Sequence, residues 1–219
     1  MQPRWIRQAS WAVAIGFAIS HLASAERSSF EPQIARRPAL NYSEANAPRR
    51  GSFLVASRQT VGPFFYQTVV LLLSNDPEGA VGLVINRPTE LPVAALLPSI
   101  AEVQERTDPA HFGGPVEPNQ VMVLVESDTQ PTDSLRVVGN VFAFRSLSSL
   151  QAIAKAIGPG LRFRAYVGYA GWGPGQLAAE IARGDWFVDS SDPKAIFDMK
   201  ADEVWPKFIR RNTGVQARR

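Results

Sequence analysis

The chain has 219 residues, 45% hydrophobic and 20% charged, with no cysteine and a formal net charge of +3. That length suits one domain with a sizeable core, and the composition is that of a soluble globular protein. The absence of thiols excludes disulfides, a cysteine nucleophile, thiolate metal ligands and a lipid anchor on cysteine, and so small a charge surplus makes no case for nucleic-acid binding.

The first 25 residues have the layout of an export signal. Arg4 and Arg7 form a basic n-region, Ala9 to Ile19 an apolar run broken only by Ser10, and Ala23-Ser24-Ala25 an A-x-A cleavage site. The pattern predicts removal of residues 1–25, Glu26 as the mature N-terminus, and a periplasmic or secreted protein. The apolar run is too short to span a bilayer, and the lack of an Arg pair points to the general secretory route. A wrongly assigned start codon, leaving the protein cytoplasmic, or an uncleaved anchor is the alternative. Loss of Arg4 and Arg7 would lower the charge from +3 to +1.

Residues 26–50 are polar and broken by proline, which predicts a flexible linker. The folded domain is expected over 51–211, with a short tail at 212–219. Within it, Ser52 to Ser57 reads as a strand. Thr68 to Ser74 is a continuous apolar run, so it should be a strand buried on both faces. A turn at Asn75–Gly79 joins it to an antiparallel partner, Ala80 to Asn86. Pro88 and Pro92 are expected to end that hairpin before a short helix at Val93–Leu97. A strand at Val121–Glu126 precedes a second hairpin, Leu135–Val138 with Val141–Arg145, turning at Gly139-Asn140. Ser148 is expected to cap a helix from Ser149 to Ile157. A strand follows at Leu161–Tyr169, then a glycine-rich turn carrying Trp172, a helix at Gly175–Arg183 stopped by Gly184, and a strand at Trp186–Asp189. Helices at Lys194–Asp198 and Val204–Arg211 close the chain. Strands and helices mix without βαβ regularity, so the class is α+β.

Four ordered blocks carry a family resemblance: Gly51 to Ala56 followed by Phe64 to Thr68, Gly79 to Pro88 (GAVGLVINRP), Gly113 to Val116 (GGPV), and Gly168 to Trp186 (GYAGWGPGQLAAEIARGDW). In order and spacing the chain resembles the YqgE/AlgH family of bacterial proteins, uncharacterised and sometimes labelled transcriptional regulators, over roughly residues 51 to 211. The resemblance implies a bent or bifurcated, mixed but mainly antiparallel sheet, partly barrel-like, with surrounding helices. It implies no catalytic residues. Family members usually begin almost at the first strand, so the export signal and linker are departures, and export would keep this chain away from DNA.

The residues themselves offer little chemistry. Only His21 and His111 exist, His21 leaves with the signal, and His111 reads as an exposed or satisfied loop histidine rather than a catalytic base. No catalytic residue, metal site or cofactor is assigned. The Asp76/Glu78 and Asp185/Asp189 pairs are explained by a turn and a strand end. Gly171-Trp172-Gly173-Pro174-Gly175-Gln176 has the strand–loop–helix layout of an anion cradle, so a receptor or enzyme for a phosphorylated ligand at 171–175 is one alternative. Yet Gln176-Leu177 stands where a P-loop needs lysine and a hydroxyl, and Pro174 suits a helix start. The favoured reading there is a tight turn that folds Trp172 onto its neighbours. Leu177 and Ile181 should face the core, Gln176 should serve orphan N–H groups at the helix start, and Glu180 should accept from a loop donor or be solvated. The remaining functional expectation is a groove for a peptide or acidic protein partner, built from Asn86, Arg87, Gly113, Gly114, Trp172, Gly175, Gln176 and Glu180. On this reading the chain is an exported, non-enzymatic binding or regulatory module. Transcriptional regulation, the third alternative, rests on the family label alone.

Overall fold

The structure, a computed structural model, describes residues 47–60, 62–144 and 147–214. The expected signal, most of the linker and the end of the tail lie outside the described residues.

Ten strands among the described residues form one branched sheet. The main path runs β10 (Trp186–Ser190), β1 (Ser52–Ala56), β2 (Val69–Asp76), β3 (Gly79–Val84), β9 (Arg162–Trp172), β6 (Val116–Glu126), β8 (Val141–Phe144) and β7 (Leu135–Val138). Every pairing on it is antiparallel. A side branch, β4 (Pro88–Pro92) paired to β5 (Pro109–Phe112), joins β9 in parallel. The sheet is thus mixed, mainly antiparallel and bifurcated. It curls into a half-barrel, bringing the free end strand β7 against the lead into β1, where a Cβ on Gly51 would lie 2.7 Å from the Val137 carbonyl oxygen. Helices surround it, so the fold is α+β.

The period of two along each strand separates two cores. Met122, Leu124 and Tyr166 face one side, under α3 (Gln176–Arg183), α4 (Pro193–Phe197) and α5 (Ala201–Thr213). Val123, Val125, Phe163 and Ala165 face the other, under α1 (Val93–Leu96) and α2 (Leu147–Ile157). The apolar run from Val69 to Leu73 is fully buried, as a strand covered on both faces must be. On α5, Phe208 meets Phe53 edge-on at 5.1 Å, and the Trp205 indole donates to the Ala56 carbonyl at 2.7 Å.

Three expectations need correction. The β2–β3 hairpin does end before Pro88, but Pro88 and Pro92 are more than a stop before the short helix. They bound the exposed strand β4, which lies at an edge where proline's missing N–H is tolerated. β9 runs on through Gly168 and Gly171 to Trp172, because Gly171 pairs with Val81 and Trp172 with Ala80. Trp172 is therefore the last residue of a strand, and the turn begins after it. Helix α2 starts at Leu147, so Ser148 lies inside it rather than capping it.

Candidate functional site

The glycine–tryptophan segment is a joint tied by one carboxylate. After Trp172, residues 173–175 turn the chain, and Gly175 precedes α3 in the left-handed conformation at φ 71°. That reversal, rather than Pro174 at the first helical position, sets the start of α3. One turn into α3, Glu180 Oε2 accepts from the Trp172 indole at 2.8 Å and from the Trp186 indole at 2.9 Å. Its Oε1 accepts from Gln176 Nε2 at 2.9 Å, while Gln176 Oε1 accepts from the Gly173 N–H at 3.0 Å. Leu177 and Ile181 face the core as their i, i+4 spacing requires. Both indoles are almost fully buried, so the carboxylate satisfies two donors that would otherwise be stranded. A glutamate carboxylate and a glutamine amide fill the place where a cradle would present bare N–H groups, an arrangement that repels rather than attracts phosphate.

Between the two tryptophans sits Phe65. Its ring stacks on Trp172 at 6.3 Å and meets Trp186 edge-on at 5.5 Å. Phe65 anchors the loop between β1 and β2, and the residues flanking it turn outward: Phe64 is 40% exposed and Tyr66 52%. Phe64 stacks on Phe112 at 6.0 Å. Asn86 fixes the loop's exit, accepting from the Val69 N–H at 2.9 Å and donating to the Gln67 carbonyl at 3.0 Å. Arg87, half-buried, donates to the Tyr66 carbonyl at 2.5 Å. Among the described residues it has no carboxylate partner.

Gly113 and Gly114 stand where the sheet divides. The Gly113 N–H donates to the Val167 carbonyl of β9, and its carbonyl accepts from the Val84 N–H of β3. Three backbones cross here: a Cβ at Gly113 would lie 2.3 Å from the Gly168 carbonyl oxygen, and one at Gly168 would lie 2.3 Å from that of Gly114. Close approach therefore explains the GGPV block and the glycine opening GYAGW together.

His111 departs from expectation. It lies in β5 opposite Tyr166 of β9, is 5% exposed, and its Nδ1 has no hydrogen-bond partner among the described residues. It is neither an exposed nor a satisfied loop histidine, because the strand pairing carries its ring under the sheet's branch. Burial, reinforced by the Arg164 charge, pushes its pKa down to about 4.

The candidate residues fall into two groups. Asn86 and Arg87 bond to the Phe65 loop's exit and to the Tyr66 carbonyl, and Gly113 and Gly114 sit at the crossing of β3 and β9, while Trp172, Gln176 and Glu180 form the hydrogen-bonded joint that Gly175 opens. A surface depression of about 280 Å³, lined by Arg49, Asp189, Arg211 and Asn212 among others, contains none of them. Sequence reasoning passed over Phe64, Phe65, Tyr66 and Trp186. The only available signal was the aromatic run Phe64-Phe65-Tyr66 inside a shared block.

This bifurcated half-barrel with its glycine crossing and tryptophan joint is the AlgH-like fold, and the AlgH-like family pattern matches residues 53–217. The chain belongs to the YqgE/AlgH family. A UPF0301 protein of Paraburkholderia phymatum is 39% identical over 155 residues, covering 68% of this chain and 81% of its own length. One from Ralstonia nicotianae is 37% identical, covering 72% and 85%. The solution structure of AlgH from Pseudomonas aeruginosa superposes with a TM-score of 0.62 at 33% identity, covering 76% of this chain and 89% of that one. A crystal structure from Corynebacterium diphtheriae gives 0.66 at 25% identity, covering 76% and 88%. The family is uncharacterised, and no catalytic activity is named for these relatives.

Proposed function

We propose that the chain is a non-enzymatic binding module, exported from the cytoplasm, that engages an acidic segment of a protein partner at the Phe64–Tyr66–Arg87 surface. One observation carries this reading. Two large aromatic side chains are held outward by the partly buried Phe65 between them, beside a guanidinium that has no carboxylate partner among the described residues. Exposed aromatics next to arginine are the side chains that dominate protein interfaces, and an arginine fork pairs naturally with a carboxylate. In this reading Trp172, Trp186, Gln176 and Glu180 hold the loop from behind, and Gly113 and Gly114 shape the sheet beneath it. Export rests on the n-region, apolar run and A-x-A site of residues 1–25.

The test has two arms. Cell fractionation with N-terminal sequencing should find a periplasmic protein beginning at Glu26. A cytoplasmic protein retaining Met1 removes export from the proposal. Crosslinked partners should be lost from Arg87→Ala and Tyr66→Ala at unchanged stability, and partner sets identical to wild type would contradict the surface.

A further inference from the structure

A second polar cluster lies apart from that surface, where β5 meets β9. Among the described residues the fully buried Tyr166 hydroxyl has no well-formed hydrogen bond and only the Arg164 side chain interacting with it, and Nδ1 of His111, whose ring centroid lies 5.6 Å from that of Tyr166, has none either. Two such buried polar atoms on neighbouring rings are uncommon, because each carries a desolvation cost that native structures otherwise remove. Beside them is Arg164, two residues before Tyr166 on the same face of β9. Its guanidinium makes long contacts to the Ile85 carbonyl at 3.5 Å and the Phe197 carbonyl at 3.4 Å. The nearby carboxylates pair with other arginines, Asp108 with Arg106 and Asp198 with Arg162, so that Asp108 reaches Arg164 only as a more distant charge. Arg164 is thus a half-buried cation with no counter-ion among the described residues.

We infer that Arg164, Tyr166 and His111 form a binding site for a small carboxylate, entered where the Arg164 side chain reaches the surface beside Phe197. The guanidinium fork takes the two oxygens of a planar, singly charged group. The Tyr166 O–H, and Nδ1–H of the matching His111 tautomer, supply donors to one of those oxygens. A dianion such as phosphate fits less well, because one guanidinium cannot offset two charges in so enclosed a place. Burial holds the Tyr166 hydroxyl well above the ordinary tyrosine range, so it remains a donor.

The probe is sodium acetate added to the full chain, with sodium chloride at equal ionic strength and inorganic phosphate as parallel arms. The readouts are the imidazole resonances of His111, assigned by their loss in His111→Gln, and the thermal midpoint. Acetate should perturb His111 saturably and raise its titration midpoint, because a neighbouring anion favours imidazolium. Affinity should fall about tenfold or more in Arg164→Gln and in Tyr166→Phe, the loss expected for a hydrogen bond to a charged group. Tyr166→Phe removes only a buried hydroxyl without a well-formed hydrogen bond, so it should fold at least as well as wild type. The inference is overturned by a linear response that chloride reproduces, by undiminished affinity in Arg164→Gln, or by phosphate binding more tightly than acetate.

Discussion

The Trp172 indole donates to Glu180 Oε2 at 2.8 Å, eight residues along and across the turn that joins β9 to α3. The same oxygen takes the Trp186 indole, so one carboxylate closes strand, helix and strand into a unit. Replacing Glu180 by Ala strands two buried indole donors and should lower unfolding stability by about 2–3 kcal/mol, with Glu180→Gln costing roughly half that. Urea unfolding monitored by tryptophan fluorescence measures both. A change under about 0.5 kcal/mol for Glu180→Ala would show that the joint does not depend on this carboxylate.

Phe65 and its neighbours should separate cleanly. Phe65→Ala empties the space between two tryptophans and should cost about 2–3 kcal/mol. Phe64→Ala and Tyr66→Ala remove exposed side chains and should change stability by about 0.5 kcal/mol or less. Hydrogen exchange of the loop amides should accelerate only in the Phe65 variant.

The glycines also divide by cause. Gly168→Ala drives a Cβ to 2.3 Å from the Gly114 carbonyl oxygen and should prevent stable folding. Gly175→Ala meets open space, so only its left-handed backbone resists, at about 1 kcal/mol. Similar thermal midpoints for the two variants would contradict the close crossing of the three backbones.

Stability should depend on pH through His111. Its folded pKa, about 4, lies below the usual 6.5, so the unfolded chain takes up the proton first as pH falls. The stabilisation is complete above pH 6.5 and is lost between there and pH 4. The loss is about 1 kcal/mol by pH 5.5 and about 3 kcal/mol by pH 4. Denaturant midpoints at pH 7.5 and 5.5, with His111→Gln as the comparison, isolate this from carboxylate titration. An equal decline in the His111 variant would refute the assignment.

Much of the frame was legible in the sequence because burial writes itself into residue pattern. The run from Val69 to Leu73, the two hairpins, and Leu177 with Ile181 on α3 all follow from apolar spacing. Long-range pairing is not written that way. Nothing local tells that Gly171 pairs with Val81 and so extends β9 to Trp172. Prolines at 88 and 92 mark an edge strand as readily as a stop. His111 is buried only because β5 docks on β9 from a separate branch. The role of Phe65 needed the spatial meeting of Trp172 and Trp186, which 14 positions of sequence and a helix separate.

In the proposed role the tryptophan joint supports the loop while Arg87 and Tyr66 meet the partner. The most direct measurement sets unfolding free energy beside crosslinked partner yield for Arg87→Ala and Trp172→Phe. Arg87→Ala should stay within about 0.5 kcal/mol of wild type yet lose most of its crosslinked partner. Trp172→Phe should lose about 1–2 kcal/mol, with partner yield falling only as far as the folded fraction does. Full partner yield from Arg87→Ala would contradict the account.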